Sequence, residues 1–255
     1  MNEIFDENSN ITGINTSKKS FFIVGIGTSA GGLEALKIFF DNLPEDFNHA
    51  IVIVQHLSPD YKSLMADLLS RNTDLPIHEV FEGVVVKAGN VYLIPPKKNM
   101  TINNGVLHLT DKPTGFDLNL PIDIFFKSLA YDQKENSIGI VLSGTGSDGT
   151  RGIRAIKELG GMLMVQKPSN AKFDGMPNIA IATGLVDYVL PVSEIPNELI
   201  NFIKHPKSLT NFEEDKDFLF KKDFNRLISL VHKKTNKDFS DYKLPTLIRR
   251  VVRRM

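Results

Sequence analysis

The feature that most constrains this chain is a set of short apolar runs that do not alternate. Phe21-Phe22-Ile23-Val24-Gly25-Ile26 and Ala50-Ile51-Val52-Ile53-Val54 are continuous, β-rich and bounded by glycine or polar residues. A strand with one wet face alternates apolar and polar side chains, whereas an unbroken run belongs to a strand covered on both faces. Between the two runs, Leu33, Leu36 and Phe40 recur at helical spacing. Strand, helix, strand is the βαβ unit of a parallel sheet.

The pattern continues. Residues 137–143, 161–166 and 185–190 read as further strands, and 58–70, 120–131, 152–159 and 178–184 as helices. The expectation is a doubly wound, mostly parallel α/β sheet with helices on both faces. Residues 80–109 depart from it. Turn residues at Gly89-Asn90, Pro95-Pro96 and Asn103-Asn104-Gly105 divide that stretch into short extended pieces, read as strands and hairpins.

The whole chain carries 30 Lys+Arg against 30 Asp+Glu, but this balance joins two unlike pieces. Residues 1–204 hold 17 basic and 23 acidic side chains, 17 − 23 = −6, and residues 205–255 hold 13 and 7, 13 − 7 = +6. An acidic body is joined to a basic tail. Residues 1–19 are polar and lack the apolar run of a signal peptide or membrane span, so they are expected to be a flexible leader on a cytoplasmic protein. The α/β domain is assigned to 20–204 and a linker to 205–222. A C-terminal α-helical extension at 223–255 contains two basic amphipathic helices, 224–235 and 242–255. The chain contains no Cys, which removes disulfides, thiolate metal sites and a Cys nucleophile from consideration. The histidines other than His56 show no paired metal-ligand spacing.

Three segments at expected strand ends carry chemistry. Gly25-Ile26-Gly27-Thr28-Ser29-Ala30-Gly31-Gly32 joins the first strand to its helix. Gly25, Gly27 and Ala30 satisfy G-x-G-x-x-[GA], a dinucleotide fingerprint, but that reading needs an acid at the end of the second strand, where Gln55-His56 stands instead. The same turn can present Ser29 as a nucleophile with neighbouring N–H groups at Ala30 and Gly31 facing an oxyanion. His56, at the end of the adjacent strand, can then serve as base. Asp148, in Leu142-Ser143-Gly144-Thr145-Gly146-Ser147-Asp148-Gly149, can orient it, with Thr145 lending a second backbone N–H. Each residue has a plainer role available: a helix cap for Ser29, a hydrogen-bonded strand end for His56, a turn residue for Asp148. Their convergence on the carboxyl ends of parallel strands favours the triad.

These segments, with Val54-Gln55-His56-Leu57-Ser58-Pro59 and Gly175-Met176-Pro177, resemble the catalytic domain of the chemotaxis methylesterase CheB over residues 20–204. The resemblance implies a Ser29, His56, Asp148 triad hydrolysing glutamate γ-methyl esters on the cytoplasmic region of methyl-accepting chemoreceptors, with deamidation of receptor glutamines as a related activity. It implies no metal or organic cofactor, no nucleic acid and no membrane insertion. Ala30 and Thr145 stand where the family commonly has Thr and Met. Lys237-Asp238-Phe239-Ser240-Asp241-Tyr242-Lys243 and Leu247-Ile248-Arg249-Arg250-Val251-Val252-Arg253-Arg254-Met255 are similar to the opening helices of the CheR methyltransferase. By that resemblance the 255 residues are expected to stop short of the family's S-adenosylmethionine domain, with 223–255 a truncated methyltransferase start that can contact the esterase domain. A noncatalytic signalling module that keeps the fold is the alternative, and it would turn Ser29 and His56 away from each other.

Overall fold

A computed structural model describes residues 21–55, 65–113 and 118–204, and helical positions 226, 228–231, 233 and 234. The expected leader, the linker, His56 and the second basic helix lie outside the described residues.

A seven-stranded parallel sheet forms the body. Its strands are β1 (Ile23–Thr28), β2 (Ala50–Gln55), β3 (Ile77–Glu79), β5 (Val91–Leu93), β8 (Ser137–Val141), β9 (Met162–Gln166) and β10 (Tyr188–Leu190), in the order β10-β9-β8-β1-β2-β5-β3. A second, antiparallel sheet joins β4 (Val84–Val85), β7 (Val106–Asp111) and β6 (Lys98–Asn103), the last two forming a hairpin through Asn104 and Gly105. The middle section is thus short strands with a hairpin, as expected, and β4, β6 and β7 stay together in the small sheet. β5 instead inserts beside β2, and β3, which lies just before that section, pairs with β5 at the sheet edge.

The unbroken runs do face two cores. Val24, Ile26, Ile51, Ile53, Ile138, Ile140, Met162 and Met164 point to one side, where α1 (Gly32–Asp41), α2 (Met65–Leu69) and α6 (Ile195–Lys204) pack through Leu36, Phe39, Leu69, Ile195 and Leu199. Ala50, Val52, Val54, Val141, Leu163 and Val165 point to the other. There α3 (Pro121–Gln133), α4 (Thr150–Glu158), α5 (Gly175–Ala182) and the small sheet supply Ile122, Phe125, Phe126, Ile153, Met176 and Met100. Burying a Phe or Ile side chain of this kind stabilises by roughly 1.5–3 kcal/mol, so these two layers fix where every strand ends.

Candidate functional site

Chain order reverses beside β1: β2 lies on one side and β8, which follows more than a hundred residues later, on the other. Loops leaving the carboxyl ends of β1 and β8 diverge toward opposite faces, and such switch points open the crevices in which α/β proteins bind ligands. Ser29 leaves β1 at this point, and Ser143 to Gly149 leave β8.

Ser143 ties the crevice together. Its carbonyl accepts the N–H of Ser29 at 3.0 Å and the hydroxyl of Thr28 at 2.8 Å. Its hydroxyl donates to the Ala30 carbonyl at 2.9 Å and accepts the Phe173 N–H at 3.0 Å, and its own N–H donates to Oε1 of Gln166 at 2.8 Å. The neighbouring Gly144 donates to Phe173 O at 2.9 Å and accepts from Met176 N at 3.0 Å. Three loops, after β1, β8 and β9, are thus bolted to one buried serine. A Cβ on Gly144 would come within 3.0 Å of the Ser29 Cβ and collide with Met176. Ser29 consequently stands directly against the β8 loop. The apolar wall beside it is Met176 of α5, not a residue of the loop itself.

The turn after Ser29 needs its glycine. Gly31 has φ 73°, and a Cβ there would meet the Ser143 hydroxyl at 2.7 Å, so a side chain is excluded by both backbone strain and space. Among the described residues, no backbone carbonyl engages the N–H of Ala30 or of Thr145. The dinucleotide reading of the same segment fails on packing. Gly25 and Gly27 lie inside β1, and the space a Cβ would take at each is filled by Leu129, Phe126 and Ile122 of α3, leaving none for a pyrophosphate.

Asp148 is 7% exposed and receives two backbone donors, Ile122 N at 3.1 Å and Asp123 N at 3.0 Å. These are free N–H groups of the first turn of α3, whose N-cap Leu120 has no side-chain oxygen to offer. In return, Asp123 accepts Gly152 N at 2.8 Å in the first turn of α4, whose N-cap is Gly149. Each helix carries the carboxylate that caps the other. Burial pushes the Asp148 carboxyl above the usual carboxylate range; the N–H groups of Asp123 and Ile122 pull it back, and the charge of Asp123 raises it further. Asp123 is raised for the same leading reason, against the N–H groups of Gly152 and Arg151. Burial depresses the Lys112 ammonium, and the nearby Asp148 charge opposes this. Each Asp148 oxygen retains a further lone pair for a second donor.

The structure therefore brings together Ser29, Ala30, Gly31 and the β8 loop, with Thr145 exposed on that loop and Asp148 at its far end. Thr28 and Gln55 are register partners, and His56 follows Gln55 outside the described residues. Pattern reading assigned no role to Ser143, Gln166 or Lys112, and their signal is three-dimensional: each acts on a loop remote in sequence. Among the described residues no His, Asp or Glu group could hold a metal ion, and no helix is long and apolar enough to cross a membrane.

Comparison with known proteins gives these observations a context. The CheB methylesterase family model matches residues 24–199, and the model of the all-alpha domain of CheR methyltransferase matches 222–255. A protein-glutamate methylesterase/protein-glutamine glutaminase of Desulfitobacterium hafniense (strain Y51) is 33% identical over 187 residues, covering 71% of this chain and 48% of that protein. An uncharacterized 104.1 kDa protein in the hypE 3' region of Rhodobacter capsulatus is 35% identical over 212 residues, 75% of this chain and 22% of that one. This chain thus spans about half, or less, of the length of these curated relatives. The crystal structure of the Thermotoga maritima CheB methylesterase catalytic domain superposes with a TM-score of 0.66 at 34% identity, covering 72% of this chain and all of that one.

Proposed function

Because the chain belongs to the CheB methylesterase family, we propose that it is a protein-glutamate methylesterase that hydrolyses γ-methyl esters of glutamate on chemoreceptor cytoplasmic regions. The observation that carries this is the position of Ser29: at the switch point and against Gly144, on a turn whose Ala30 N–H, like that of Thr145 in the β8 loop, meets no backbone carbonyl among the described residues. In the proposed reaction, Ser29 Oγ attacks the ester carbonyl as His56 takes its proton. The N–H groups of Ala30 and Thr145 hold the oxyanion, a contribution of roughly 2.7–4 kcal/mol per donor in comparable sites. His56 returns the proton to the departing methoxide, releasing methanol. A water activated by His56 then cleaves the acyl enzyme and leaves a free glutamate. Asp148 steadies the imidazolium through the lone pairs that α3 does not use. A γ-amide offers the same carbonyl with ammonia as leaving group, so glutamine deamidation is the expected second activity. The basic 223–255 segment, matched by the CheR model, is the proposed contact to receptor or to a methyltransferase domain.

Methanol release from methylated receptor tests the reading. Ser29→Ala should lower the rate by roughly 10⁴-fold or more with folding intact; an unchanged rate overturns it.

A further inference from the structure

The turn that carries Ser29 contains a choice its own residues leave open. Gly32 N donates to the Ser29 carbonyl at 3.0 Å, closing a four-residue turn. Gly31, third in that turn, has φ 73° and ψ 7°, and Ala30 keeps a negative φ. These angles make a type II turn. It differs from the commoner type I by turning the central peptide over, here the unit of the Ala30 carbonyl and the Gly31 N–H. Glycine takes negative φ as readily as positive, so residue 31 permits either orientation.

Ser143 makes the choice. Its hydroxyl has one proton to donate, with two carbonyls in reach, that of Ala30 at 2.9 Å and that of Phe173 at 3.2 Å. The Phe173 carbonyl already accepts Gly144 N, whereas that of Ala30 has no other donor among the described residues, so the proton goes to Ala30. Phe173 N, donating to the hydroxyl oxygen at 3.0 Å, holds the hydroxyl in that direction. Ser143 is 1% exposed. The Ala30 carbonyl is therefore drawn into the protein. Because the two ends of a trans peptide point in opposite directions, the Gly31 N–H is turned away from Ser143, and among the described residues no backbone carbonyl meets it. Turned over, the same peptide would set a carbonyl oxygen in its place, where it would repel an oxyanion developing at Ser29.

We propose that Ser143 is a positioning residue of the esterase reaction: its hydroxyl locks the peptide joining Ala30 to Gly31, so that the turn beside Ser29 offers N–H groups, not a carbonyl, to the oxyanion. The proposal rests on the esterase reading of Ser29. Buried as it is, Ser143 acts through the turn and not on substrate.

Methanol release from methylated receptor tests this on the 255-residue chain, with wild type, Ser29→Ala, Ser143→Ala and Ser143→Thr compared per folded molecule, as counted from thermal melts. Ser143→Ala should lower kcat by roughly 10- to 100-fold, short of the loss of a whole oxyanion donor. KM should stay unchanged, the pattern of an interaction made in the transition state alone. Ser143→Thr, which keeps the hydroxyl, should restore most of kcat. A serine that merely pinned the loops would lower the melting temperature and move KM as well. The proposal is overturned by a wild-type kcat in Ser143→Ala, by a loss that lies in KM, by a folded Ser143→Thr as slow as Ser143→Ala, or by failure of Ser143→Ala to fold, which would make the hydroxyl a structural pin. A wild-type rate in Ser29→Ala overturns the esterase reading and this proposal with it; loss in Ser29→Ala with Ser143→Ala unaffected overturns this proposal alone.

Discussion

The two ends of α4 handle buried charge in opposite ways. At its C-terminal end, Lys157 is 3% exposed and paired with Asp187, itself 2% exposed, whose second oxygen accepts Leu163 N at 3.0 Å. At its N-terminal end, Asp148 and Asp123 are buried with backbone N–H groups as hydrogen-bond partners. The first arrangement closes: the ammonium meets a carboxylate, and the pair clips α4 to β9 and the entry of β10. The second stays open. A helix N-terminus supplies only about half a positive charge, so two full negative charges are under-compensated, and both carboxyls are raised by burial. The closed pair lies at the amino edge of the sheet, where β9 begins. The open pair lies at the carboxyl edge, where the proposed chemistry is. Incomplete compensation leaves capacity for another positive partner, and an imidazolium is one.

The largest expected effect breaks the open end. Asp148→Asn loses the charge and turns one of the two acceptors that α3 uses into a donor, so methanol release should fall by roughly 10⁴-fold, with stability lowered by only about 1–3 kcal/mol for the one N–H left unpaired. A large loss of stability with activity per folded molecule retained would make Asp148 a helix cap and nothing more. At the closed end the expectation inverts. Lys157→Met strands a buried carboxylate and should destabilise by about 3–5 kcal/mol, lowering the melting temperature by on the order of 10 °C, with kcat/KM of the folded fraction unchanged. Adding Asp187→Leu should recover most of this, because an apolar pair of similar volume often replaces a buried ion pair at little cost. The Leu163 N–H then remains unpaired, leaving a deficit of about 1 kcal/mol. Failure of the double variant to recover would show that Asp187 is needed for more than pairing.

How much of this was legible in the sequence follows from the same contrast. The paired strand runs could be read directly because burial on both faces writes an unbroken apolar string, and β1, β2, β8 and β9 lie within or close to their expected bounds. β3 and β5 could not be placed, since three residues carry no periodicity and their membership of the large sheet is decided by partners. No expectation covers α6, whose Pro196 and few fully buried residues obscure its spacing. At the site, Ser29 and the β8 loop could be picked out because glycine-rich turns after buried strands have few uses. The cap exchange could not, because capping rules look for the oxygen at the N-cap, and here Leu120 and Gly149 occupy those positions. The acceptors come from 25 and 29 residues away.

The smallest expected effect measures the cost of leaving the N-terminal end open. In the unfolded chain Asp123 and Asp148 release their protons near 3.8, and in the folded chain they do so at higher pH. Over that interval the folded state binds more protons, so their contribution to stability is full below 3.8 and is lost as pH rises through the folded values. Glu34 and Glu82, lowered by hydrogen bonds, act in the opposite direction, but equally in wild type and variant. The difference between the two proteins therefore isolates the pair. Asp123→Asn removes one titration and also the charge that helps raise Asp148, both in the same sense. Between pH 4 and pH 7 the variant's melting temperature should rise relative to that of wild type as pH is raised. Parallel curves would mean that the helix N-termini compensate the two charges fully, and the distinction between the two ends of α4 would disappear.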